Sequence, residues 1–103
     1  MSVNTVTMGT SVHATDGAAG RVDDVLVSNE TGQPAYLVVD AGGFFKGDVV
    51  LAVGDVQSVN EDGVWVALTR DQVKKLPSYD PGKYGASAGL RSRAAARHGR
   101  GDR

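Results

Sequence analysis

The sequence predicts an all-β fold: a small, partly open barrel of about six short strands, with one short C-terminal helix and a basic tail. Three observations predict it. Between Thr10 and Leu68 the segments are short and rich in valine, and branching at Cβ suits a pleated surface better than a helix. Gly, Asn and Asp punctuate these segments at close intervals, which is the chemistry of turns. The chain has 103 residues and no cysteine, so a single small core must be held by apolar burial and backbone pairing without disulfides or thiolate zinc sites.

Strands are expected at about 10–14, 20–28, 35–41, 48–53, 55–60 and 63–68. Asp16-Gly17 ends the first with a dipeptide that tolerates positive φ. The second and third flank the polar patch Ser28-Asn29-Glu30-Thr31-Gly32-Gln33-Pro34 as a hairpin. Within the second, Val22 lies three residues from Val25, so strict alternation cannot bury both. An extra residue near Asp23-Asp24 repairs the phase, and such a bulge also bends the strand toward closure.

The fifth and sixth strands meet at Asn60-Glu61-Asp62-Gly63, a second hairpin turn. There Val64, Val66 and Leu68 alternate with Trp65, Ala67 and Thr69, the period-two pattern of a strand with two unlike faces. The period then changes. Thr69-Arg70-Asp71-Gln72 has the form of a capping box, with Thr69 as N-cap and Gln72 three residues on. Val73 and Leu76 are spaced to press one helical face on the barrel, and Pro77 stops the helix because the residue before proline avoids the α region.

Gly20-x-Val22 leading into a strand, Tyr36-Leu37-Val38-Val39, the Gly42-Gly43 turn, Asp48-Val49-Val50-Leu51, and Leu68-Thr69 with Leu76-Pro77-Ser78-Tyr79 together resemble the PRC-barrel family over roughly residues 8–80. The resemblance implies an all-β barrel of about six strands that serves as a docking or adaptor piece. Such barrels are modules of the photosynthetic reaction-centre H subunit and of a ribosome maturation factor, and stand-alone bacterial versions exist. These 103 residues contain neither the membrane helix of the first setting nor the RNA-associated domain of the second, so neither partner carries over.

Charge divides the chain after residue 82. Residues 1–82 carry five basic and eleven acidic side chains, a net of −6, whereas residues 83–103 carry six basic and one acidic, a net of +5. The domain is therefore expected to span 1–82. The tail, with Arg91, Arg93, Arg97, Arg100 and Arg103 among Gly, Ala and Ser, is expected to be flexible because it buries too little apolar surface to offset ordering. Its arginines are candidate contacts for anions or nucleic acid, of the salt-sensitive, non-specific kind. Arg100-Gly101-Asp102 spells an adhesion tripeptide, which is read as coincidence.

Catalytic chemistry is not expected. His13 and His98 have no neighbouring Cys or His to complete a metal site. No Gly-x-Ser-x-Gly elbow occurs. Asp23 and Asp24 with Asp16 or Asp40 lack the spacing of a calcium loop and read as solvated or bulge acids. The run Asp40 to Gly47 lacks the Gly-Lys-Ser/Thr ending of a phosphate loop. No cofactor or metal is therefore expected.

Phe44 and Phe45, the only phenylalanines, lie together where alternation leaves one facing outward, and Trp65 is opposite in phase to its valine neighbours. These three are the candidate protein interface, with Trp65 packing either under the short helix or at the contact. The resulting expectation is a cytoplasmic, non-catalytic adaptor without a transmembrane segment, homodimeric and docking an unidentified protein. A nucleic-acid- or RNA-binding, ribosome-associated factor using the arginine arm is the alternative.

Overall fold

The computed structural model describes residues 6–42 and 48–93. The order of elements is β1 (Ser11–Ala14), β2 (Gly17–Ser28), β3 (Pro34–Asp40), β4 (Asp48–Ala52), β5 (Val56–Asn60), β6 (Gly63–Val66), α1 (Arg70–Lys74) and β7 (Leu90–Ser92). Single 3₁₀ turns lie at Val53–Asp55 and Ala86–Ala88. The strands form one open sheet in the order β4-β3-β2-β1-β6-β5, with β7 added against β2. All neighbouring pairs are antiparallel except β1 with β6. The fold is thus the strand-dominated, partly open barrel that the valine segments predict.

β2 is the longest strand, and a bulge bends it. Val22 stands opposite Val39 and Asp24 opposite Val38, so Asp23 has no partner of its own. That one extra residue returns Val25 to the face of Val22, and both are buried in the same cluster with Leu37 and Val39. A second register shift, between Leu26 and Val27, adds to the bend. The phase slip seen in the sequence is therefore resolved at Asp23.

The inner core is made of Val12, Val22, Val25, Leu37, Val39, Val49, Leu51, Val64, Val66 and their neighbours, with Val73 of α1 pressed onto it. Burying each Val or Leu side chain contributes roughly 1.5–3 kcal/mol. α1 begins as expected: Gln72 N–H donates to Thr69 Oγ1 at 3.1 Å, and Thr69 N–H donates to Gln72 Oε1 at 2.9 Å. After Leu76 the chain runs beside β4, where Val50 N–H donates to the Pro77 carbonyl at 2.9 Å and Tyr79 N–H to that of Asp48 at 2.8 Å. These bonds cover the outer edge of β4.

The expected boundary after residue 82 moves. Residues 79–92 wrap back over the sheet: Tyr84 and Leu90 pack on Leu26, Val38 and Tyr36, forming a second core on the outer face. Leu90–Ser92 then pairs with Leu26–Ser28 along the edge of β2 that β1 leaves free. The physical reason lies in β2 and β3, whose alternate residues Leu26 and Val38 are as apolar as the inner ones and are both fully buried. A sheet apolar on both faces needs a cover on each, so the first part of the expected tail belongs to the domain. About six expected strands become seven among the described residues.

Candidate functional site

Each candidate from the sequence has a definite position. Phe44 and Phe45 lie outside the described residues, as do Arg97, His98, Arg100 and Arg103. Trp65 sits on β6, half-buried, on the face away from the inner core. It does not pack under the helix. Its ring stacks on His13 of β1, with centroids 4.4 Å apart and planes 18° from parallel, because the parallel β1–β6 pairing sets His13 beside Trp65. His13 Nε2 lies 3.4 Å from the Asp62 carbonyl oxygen. The stack is a flat platform on the outer surface, and across the next strand pair Ser58 stands opposite Trp65.

The two described arginines of the tail are structural fasteners. Arg91 Nη1 donates to Asn29 Oδ1 at 2.8 Å, tying β7 to the β2–β3 turn. Arg93 Nη1 donates to the Val6 carbonyl at 2.7 Å, tying it to the segment that precedes β1. Each has thus directed at least one donor to the protein itself.

A second surface was not anticipated. The three tyrosines of the chain, Tyr36, Tyr79 and Tyr84, all flank the outer core. Tyr36 and Tyr84 meet edge to face at 5.7 Å, and Tyr79 lies 6.4 Å from Tyr84. Beside Tyr36 and Tyr84 opens a groove of about 710 Å³, completed by Ala35, Ala88, Gly89, Leu90 and Lys83. The Lys83 ammonium stands 5.9 Å from the Tyr84 ring centre, a cation–π distance. The available signal was the presence of Tyr79, Tyr84 and Leu90 in a segment otherwise polar.

Electrostatically the most perturbed place is the bulged corner. Asp40 and Asp48 are cross-strand partners, and Asp23 of the bulge reaches the Asp48 carboxyl. Burial, then the hydrogen bond that the protonated Asp48 carboxyl donates to Asp23, then the charges of Asp23, Asp40 and Asp24 push Asp48 up to about 7. Burial and the charges of Asp24, Asp48 and Asp80 likewise raise Tyr79. Asp24 is used differently: it accepts from its neighbour Val25 N–H at 2.7 Å and from the Ser92 hydroxyl, which fastens β7 to β2. Among the described residues, no group of three or more His, Cys, Asp or Glu is arranged to hold a metal ion. No described helix is long and apolar enough to cross a membrane.

Comparison with known proteins agrees with this architecture. The family model for the PRC-barrel domain matches residues 9–73. An uncharacterized protein of Deinococcus radiodurans is 38% identical over 74 residues, covering 70% of this chain. The chain spans only 27% of that relative's length.

Proposed function

The chain belongs to the PRC-barrel domain family, and from that premise we propose that it is a non-catalytic interaction module that self-associates as a homodimer and docks a protein partner in the cytoplasm. PRC-barrel domains often mediate protein interactions and are generally non-catalytic. The observation that carries the reading is the inequality of the two sheet ends. β4 is covered by the Pro77–Tyr79 segment, whereas β5 ends the strand order and, among the described residues, pairs on one side alone. An unpaired edge is a template for a further strand, and here it runs beside the His13–Trp65 platform. A symmetric pair joined at β5 would cover the edge and the aromatic stack together. Phe44 and Phe45 remain candidates for the contact with a different protein.

The RNA-associated alternative is less favoured, since Arg91 and Arg93 each direct one donor to Asn29 and Val6 and the described aromatic rings sit on the folded body rather than among the arginines. Light scattering on the full chain tests self-association; titration with labelled RNA, with and without residues 94–103, tests the alternative. A dimer that ignores RNA is the expected outcome. A monomer whose RNA binding disappears with the tail would replace the proposal by the alternative.

A further inference from the structure

A groove of about 390 Å³ lies between the start of β2, the end of β3 and α1, bordered by Arg21, Arg70 and Lys74. The acidic part of the chain, residues 1–82, holds just five basic side chains against eleven acids. Three of the five surround this one concavity. Its floor is made of Ala18, Ala19, Gly20, Ala41 and Gly42, so among the described residues no large side chain fills it. Gly20 is obligatory there: its φ is +150°, and a Cβ would overlap the Asp40 carbonyl oxygen. The groove therefore follows from a close approach of two backbones, with cations around the rim.

The cations are differently constrained. Arg70 is positioned in advance, because its own N–H donates to Asp16 Oδ1 at 2.8 Å and its Nε lies 3.8 Å from the same oxygen, and its side chain lies over Gly17. Arg21 and Lys74 have no side-chain partner among the described residues. Asp40, the one acid among the described lining residues, is turned back on its own loop by accepting the Gly42 N–H at 3.0 Å. Two uncommitted cations and one preset guanidinium around a floor of small residues suit a compact dianion. α1 is too short to add a useful dipole, so the side chains supply the attraction.

We propose that this groove binds a phosphate group, free or carried by a small phosphorylated molecule, with Arg21 and Arg70 as guanidinium donors and Lys74 as a point charge. Its volume is that of a small-ligand pocket. The proposal does not depend on the dimer.

The test is titration of the full, ¹⁵N-labelled chain with inorganic phosphate at low ionic strength, following the amides of Gly20, Ala41 and Gly42. Saturable shifts centred on these amides are expected. Arg21→Ala and Lys74→Ala should each weaken binding about tenfold, the factor for losing one charge-assisted hydrogen bond. Asp40→Asn should strengthen it. Glycerol phosphate in solution and phosphatidate vesicles then separate a soluble ligand from a lipid headgroup, since the true source saturates the same amides at lower concentration. Shifts that stay linear, that centre on the tail arginines, or that persist unchanged in Lys74→Ala, an exposed position whose loss leaves the core intact, would overturn the proposal.

Discussion

Asp40 on β3 stands directly opposite Asp48 on β4, a like-charged cross-strand pair to which the bulge on β2 adds Asp23. Such a pair is tolerable when one member keeps its proton. The Asp48 carboxyl, raised from 3.8 to about 7 by burial and then by Asp23, is neutral in the folded state across most of the acidic range. Folding therefore favours the protonated form. Its contribution is complete below pH 3.8 and is lost as pH rises through about 7. Between pH 5 and pH 8 the melting temperature should fall, most steeply near pH 7. Asp48→Asn should flatten this part of the profile and be more stable than the parent at pH 8. A circular-dichroism melt at each pH checks both.

Leu90 is buried against Leu26 and Val38. Leu90→Ala should cost about 2–4 kcal/mol by leaving a cavity on the outer face. Truncation after residue 82 should cost more, since it removes β7 and Tyr84 as well and exposes two fully buried side chains. Urea titration distinguishes these outcomes from a dispensable tail, for which neither change would move the midpoint.

Gly20→Ala places a Cβ on the Asp40 carbonyl and forces a strained φ. It should destabilise the domain by about 3 kcal/mol or prevent folding. Thr69→Ala, which removes one half of the capping box, should cost only about 1 kcal/mol. Comparing the two by thermal unfolding sets a backbone collision against the loss of a cap.

Much of this architecture was legible because it is local. Val64-Trp65-Val66 declares a two-faced strand, Thr69 and Gln72 declare a cap, and the three-residue interval from Val22 to Val25 calls for the bulge that Asp23 supplies. What was hidden depends on distant partners. Leu90 sits among Gly, Ala and Arg, and no local period marks it as a strand; its burial follows only once Leu26 and Val38 are seen to share an outer face. Trp65 could be recognised as outward, but its stacking on His13 requires the parallel β1–β6 pair, which joins residues 52 apart in the chain. The convergence of Asp23 with Asp48, and of Arg21 with Arg70 and Lys74, is likewise a product of the closing sheet.

The central claim, that the β5 edge and the Trp65 platform join two copies, is tested most directly by sedimentation velocity on the full chain and on Ser58→Lys. Ser58 is exposed on that edge, and a lysine there sets like charges across a two-fold axis while leaving the core untouched. The account predicts a dimer for the parent chain and a folded monomer for the variant. A parent chain that remains monomeric at high micromolar concentration, or a Ser58→Lys variant that dimerises as tightly as the parent, would contradict it.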